Sequence, residues 1–168
     1  MAGTAQGLTI VLGAVDVALL RLLRTRGHTP ALEAAAVGLA RVGEHAVIWH
    51  AVAVIGALLD RERRPRYLHT IRAVGVTQLL TSAIKLGFRR ARPAIEDLPA
   101  LMPTVSELSY PSAHASTAFA AARGLGGGPA LYALAGVMAL SRPYLGVHYP
   151  SDTLAGAALG DALARITP

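Results

Sequence analysis

The chain has 168 residues, 53% of them hydrophobic and 15% charged, with a mean hydropathy of +0.45, well to the apolar side of an ordinary soluble domain. It contains no cysteine, which excludes a disulfide framework and a thiolate metal site. The net charge of +6 does not point to nucleic acid: the basic residues fall in short clusters between apolar segments, with few aromatic residues to stack on bases. Basic loops of a membrane protein account for it better.

The length suits one domain, residues 1–168. Residues 8–23 are apolar apart from Asp16 and Arg21 and predict a helix, broken at Gly27 to Pro30. No basic segment precedes this first apolar run, so a cleaved signal peptide is not expected. Asp16 is expected to face a neighbouring helix or the interface rather than to react. Residues 31–42 predict a short Ala-rich helix, and 41–45 a turn or a polar patch at the membrane edge. Residues 46–59 form the cleanest apolar run, shorter than the roughly 20 residues that a spanning helix needs. Within it Trp49 suits an interfacial belt, and His45 and His50 are expected to pack rather than to act.

Residues 60–66 read DRERRPR, a polar hairpin and the best candidate for a cytosolic loop. The next helix, 69–87, then carries Lys85 and the run from Arg89 to Arg92 to the opposite face. Its Thr77, Gln78, Thr81 and Ser82 should point into the bundle, since they are awkward toward lipid. Residues 88–110 are Pro-rich and hold Glu96, Asp97 and Glu107; so long a loop predicts a lid or access loop. Helices of small residues follow at 112–125, 130–140 and 154–166. Gly156 and Gly160 are spaced for close helix contact, and Asp161 reads as an inward-facing structural acid. The expectation is an all-α, integral-membrane bundle of five or six helices.

Three clusters carry the chemistry, and this topology puts all three on one side. Lys85 and Arg92-Pro93 read K-x6-R-P, and Pro111 to His114 read PSAH. Between residues 141 and 152 lie Arg142, His148 and Asp152. A carboxylate four residues after a histidine can orient the ring and leave its other nitrogen free to attack. Pro150 suits the first position of a helix, which would place His148 just outside a positive helix N-terminus. Arg142 offers a fork that matches phosphate oxygens. Taken alone, this last stretch reads equally well as a loop with a solvated Arg, a surface His and a capping Asp.

Together the clusters resemble, in order and spacing, the three-part signature of the type-2 phosphatidic acid phosphatase superfamily across residues 85–152. One departure is Ala113, where the superfamily usually has Gly. The resemblance implies phosphoryl transfer through a phosphohistidine. His148 would be the nucleophile, Asp152 its orienting carboxylate and His114 the general acid and base. Lys85, Arg92, Arg142, Ser112 and the backbone N–H of Ala113 would hold the phosphate. It implies no cofactor and no metal, in keeping with acids that are scattered rather than clustered as Mg²⁺ ligands would be. Arg89 and Arg90 are read as steering residues or a solvated pair, and Tyr144 and Tyr149 as interface anchors. The expected substrate is a lipid phosphate, with decaprenylphosphoryl-5-phosphoribose favoured over polyprenyl diphosphate or phosphatidylglycerophosphate. A non-catalytic scaffold of the same fold is the alternative. Expected partners are that lipid and the surrounding membrane lipids, with no nucleic acid and a homo-oligomer possible. The plasma membrane is the expected location, with the site on the extracytoplasmic side.

Overall fold

Prolines and hydroxyl side chains set where the helices begin. Pro30, Pro65, Pro129 and Pro150 each lie in a first turn, where a missing N–H costs nothing. Thr29 caps its helix by accepting from the Leu32 N–H at 3.2 Å, and Ser112 caps another through the Ala115 N–H. The computed structural model describes residues 2–168, with side chains from residue 13 onward. It contains α1 (Ala2–Thr25), α2 (Pro30–Val42), α3 (Val47–Leu59), α4 (Arg64–Phe88), α5 (Ala113–Gly124), α6 (Pro129–Tyr144) and α7 (Pro150–Ile166). A 3-10 turn, Glu44–Ala46, joins α2 to α3.

The fold is all-α, as expected, and two boundaries differ from the sequence reading. Helix α4 starts at Arg64 rather than 69, because Pro65 opens a helix instead of closing a hairpin. Helix α6 continues through Pro143 to Tyr144, so Arg142 sits on a helix and not in a loop. Helix α7 starts at Pro150, the position to which that proline is suited, and His148 lies just outside it, one residue before its cap, Tyr149. Helices α2 and α3 bend by 50° at their junction; taken as one bent unit, they bring the seven helices to six, the upper expected number.

Small residues fill the interior. Ala53, Ala73, Ala115, Ala118, Ala120, Ala121, Ala122 and Ala135 are fully buried, whereas Leu58, Leu59, Leu79, Leu86, Phe88, Leu154 and Ile166 are among the most exposed apolar residues. Small side chains inside and large apolar ones outside is the pattern of helices that pack in lipid, where close backbone approach drives association. Among the described residues no single helix is long and apolar enough to cross a bilayer; only the bent α2–α3 pair passes that test, and only as a pair.

Helix α5 is the hub, with α4, α6 and α7 packed around it. A Cβ on Gly156 would lie 2.6 Å from the Ser112 carbonyl oxygen, and one on Gly160 would collide with that of Ser116. The two glycines thus hold α7 against α5 by backbone contact. That contact sets the start of α5, with His114, beside the start of α7, with Asp152. Thr77 and Thr81 are fully buried, Gln78 is half-buried and Ser82 exposed, so the polar face of α4 turns inward only in part. Trp49 is 3% exposed and packs in the core, not in an interfacial belt.

Candidate active site

The long segment after α4 is shaped by its own two arms. Arg92 N–H donates to the Glu107 carbonyl at 3.2 Å, and Ser109 N–H to that of Arg90 at 2.8 Å. Lys85 reaches across from α4 and donates to the carbonyls of Leu108 and Ser109 at 3.0 and 3.1 Å. These bonds bring Lys85, Arg92 and the Ser109 hydroxyl to the connection between α6 and α7.

His148 is 2% exposed, and its neighbours fix its tautomer. An Arg92 Nη1 lies 3.0 Å from Nε2. A guanidinium can only donate, so Nε2 is the accepting, unprotonated nitrogen and the proton sits on Nδ1. That Nδ1 faces Ser109 Oγ at 3.3 Å and Asp152 Oδ2 at 3.5 Å, while the Ser109 hydroxyl donates to the same Asp152 oxygen at 2.5 Å. The Nε2 lone pair is therefore present at rest, aimed at a cation. Burial, chiefly, with the cations Arg92, Arg142 and Lys85, holds the ring well below the usual imidazole range, against the opposing pull of Asp152. The sign follows: the unfolded ring takes up a proton near pH 6.5 and the folded one does not, so stability tied to His148 is present above pH 6.5 and is lost as pH falls below it. Nitrogen NMR of the purified protein should show the His148 ring neutral, with its proton on Nδ1, from pH 7 down through pH 5.5. A titration midpoint near 6.5 would contradict the geometry.

Asp152 is fully buried, yet both its oxygens are engaged. Oδ2 also accepts from the Tyr149 N–H at 2.9 Å, and Oδ1 from Arg90 Nη1 at 2.8 Å. Arg90 in turn donates to Asp16 on α1 at 2.7 Å and lies 4.1 Å from the centre of the Tyr149 ring. Asp16 accepts from the Ser151 N–H at 2.9 Å and from its hydroxyl. The carboxylate behind the histidine is thus clamped from three elements.

His114, on the first turn of α5, lies 2.8 Å through Nε2 from the Ala40 carbonyl on α2. A carbonyl only accepts, so Nε2 carries a proton and Nδ1 is the position that can gain or lose one. Arg142 is 3% exposed; its Nε has no hydrogen-bond partner among the described residues, and its Nη1 meets only the Met102 sulfur at 3.8 Å. A buried guanidinium without a carboxylate is costly until an anion arrives.

These groups surround one cleft of about 260 Å³, lined among others by Lys85, Arg92, Ala113, His114, Arg142 and His148. Both imidazoles and all three expected cations thus converge, as one site requires. Ser112 does not join them: it is fully buried, its hydroxyl caps α5 and it lies outside the cleft lining. Asp152 also stands outside the lining, behind the ring. Among the described residues no cluster of three or more metal-ligating side chains occurs.

Two mycobacterial proteins, each named decaprenylphosphoryl-5-phosphoribose phosphatase, resemble the chain along most of its length. The one from Mycobacterium tuberculosis is 40% identical over 140 residues, covering 82% of this chain and 79% of that protein. The one from Mycolicibacterium smegmatis is 39% identical over 148 residues, covering 84% and 80%. The chain belongs to the family of decaprenylphosphoryl-5-phosphoribose phosphatases. No family-level sequence model matches it. Among solved structures, Aquifex aeolicus LpxE superposes with a TM-score of 0.78 at 27% identity, over 91% of this chain and 94% of that one. The PAP2-type transmembrane phosphatidylglycerolphosphate phosphatase of Bacillus subtilis shares the fold, with a TM-score of 0.76 at 22% identity over 94% and 84%. The resemblance to the type-2 phosphatidic acid phosphatase superfamily therefore holds, and the chain is a phosphatase and a membrane protein.

In this phosphatase several residues serve the site in ways that the sequence reading did not foresee. Ser109 bridges His148 and Asp152, and nothing in a loop serine marks it for that place. Arg90 is neither a steering residue nor a solvated charge; it neutralises Asp16 and Asp152. Tyr149 packs beneath that guanidinium, and Tyr144 stacks on His28 with ring centres 3.9 Å apart, so both work inside the protein rather than as interface anchors. His45, expected to pack, lines the cleft together with Glu44. Asp161 is a structural acid, as expected, held by Arg123 and Arg165 and by the Tyr132 hydroxyl.

Proposed function

We propose that residues 1–168 act as one membrane-embedded phosphatase domain that removes the terminal phosphate of decaprenylphosphoryl-5-phosphoribose. The observation that carries the substrate is the 40% identity, over 82% of this chain, to a relative of that name; the cleft supports the chemistry. His148 Nε2 attacks phosphorus as the bond from phosphorus to the sugar oxygen breaks. His114 enters the step with a proton on both ring nitrogens, gives the Nδ1 proton to the departing oxygen and keeps the one bonded to the Ala40 carbonyl. Water then attacks the phosphohistidine, His114 takes a proton from it, the N–P bond breaks and inorganic phosphate leaves. Lys85, Arg92 and Arg142 hold the non-bridging oxygens and gain strength as charge develops on them. Arg92 moves from the histidine nitrogen to a phosphate oxygen when substrate arrives, which frees the lone pair. Ser112 contributes by fixing the start of α5, with the Ala113 N–H at its mouth.

The enzyme works in the plasma membrane with the cleft on the extracytoplasmic side. What supports this is the placement of Arg61, Arg63, Arg64 and Arg66 around the start of α4, a helix length away from Lys85, as the positive-inside rule arranges.

Phosphate release from purified lipids in detergent tests the proposal. Decaprenylphosphoryl-5-phosphoribose should be hydrolysed faster than polyprenyl diphosphate or phosphatidylglycerophosphate, and vanadate should inhibit. A chelator should leave the rate unchanged. A slower rate on the favoured lipid than on the other two would overturn the substrate, and loss of activity with chelator would overturn the mechanism.

A further inference from the structure

Past the phosphate cradle, the cleft runs along the break between α2 and α3. Glu44 and His45 form its wall there. The same two residues also edge a shallow groove that holds Arg41, Val47, Ile48 and Ala51. The chemistry therefore changes in order: cations and imidazoles, then a carboxylate and a ring, then a guanidinium on an apolar wall.

Glu44 does not suit a site for phosphate alone, because its charge opposes a dianion, but a carboxylate accepts hydrogen bonds from hydroxyl groups. The side chains of Arg41, Glu44 and His45 form no ion pair with one another or with other described residues. The backbone that presents them is strained. His45 and Ala46 have φ of 52° and 59°, left-handed values that cost residues other than Gly about 1–2 kcal/mol each and that concentrate at functional sites. Gly43, just before them, lies so close to His114 that a Cβ would come 3.0 Å from its ring, so the break is registered on the proton donor.

We propose that this break is a binding subsite for the part of the substrate between the terminal phosphate and the lipid chain. Glu44 and His45 take a hydroxyl-bearing group, Arg41 takes an internal phosphodiester, and Val47, Ile48 and Ala51 take the start of the chain. The inference rests on the phosphatase reading above and deepens it, since a phosphoribose joined through a phosphoryl group to a prenyl chain presents these groups in this order.

The test is kcat/KM of the purified full chain on three lipids. Decaprenylphosphoryl-5-phosphoribose and phosphatidylglycerophosphate each have a hydroxyl-bearing spacer and an internal phosphodiester; phosphatidic acid has neither. The parent should favour the first two over the third. Arg41→Ala should cut that preference about tenfold, the size of one charge-assisted contact, and Arg41→Lys should keep most of it. Glu44→Gln should also reduce it. Arg41 is exposed, so its loss leaves packing intact. A parent without the preference, or variants that keep the parent's ratio, would overturn the subsite. Arg41-dependent preference for phosphatidylglycerophosphate, with no hydrolysis of the phosphoribosyl lipid, would uphold the subsite and overturn the substrate. No release from any of the three would overturn both.

Discussion

His148→Ala is expected to lower kcat by about 10⁴-fold or more, the scale seen when a covalent nucleophile is removed. That factor corresponds to roughly 5.5 kcal/mol of barrier. Of the other imidazoles lining the cleft, His114 has its Nε2 committed to the Ala40 carbonyl, and His45 stands at the α2–α3 break beside Glu44. The three cations remain in the variant, so affinity for inorganic phosphate should change little and the loss should fall on kcat rather than on KM. Steady-state phosphate release, paired with a phosphate-binding titration, separates the two. Alkali-quenched parent enzyme should contain alkali-stable, acid-labile phosphate on protein, and the variant none. A variant that releases phosphate at the parent's rate would show that the covalent route is wrong.

Arg90→Leu is expected to cost about 3–5 kcal/mol of stability, because removing one partner of a buried ion pair strands the other. Here it strands two carboxylates. The side chains of Asp152 and Asp16 are 0% and 7% exposed, and both lose the cation they are paired with. Thermal unfolding in detergent should reveal the loss. Asp16→Asn combined with Arg90→Leu should be less damaging than the sum of the two single changes, as coupled neighbours are. Arg90→Lys should restore part of the stability but not the two-sided clamp, since a single ammonium lacks the guanidinium's fork. Normal stability in Arg90→Leu would mean that the clamp contributes little.

The residues of the proposed site were legible in sequence because the chemistry proposed for them dictates their types: a cationic cradle and two imidazoles are hard to replace, and each sits at the edge of an apolar run. Their supports were not legible. Asp16, Arg90, Ser109 and Ser151 are ordinary residues in ordinary surroundings, and their meaning lies in partners 39 to 135 positions away. Helix starts failed where one residue had two readings. Pro65 both ends hairpins and opens helices, and the sequence reading chose the hairpin. The sequence reading ended α6 at residue 140, before Arg142, but the helix runs on through Pro143 to Tyr144. Trp49 was assigned to an interface on its residue type, and its burial among alanines shows that volume decided instead. The exposed leucines and buried alanines, by contrast, follow directly from the composition.

Asp16 also has a consequence for how the protein is made. Its two partners are Arg90 and Ser151, 74 and 135 residues downstream, so the first helix leaves the ribosome with a carboxylate that nothing yet neutralises. That charge must wait in the translocation machinery or at the headgroups until α4 and the Arg90 that follows it are synthesised. Only when the last helix arrives does the acid find both ligands, and the same event seats the nucleophile. Biogenesis therefore ends in activation: a half-built chain exposes no working hydrolase to the lipids around it.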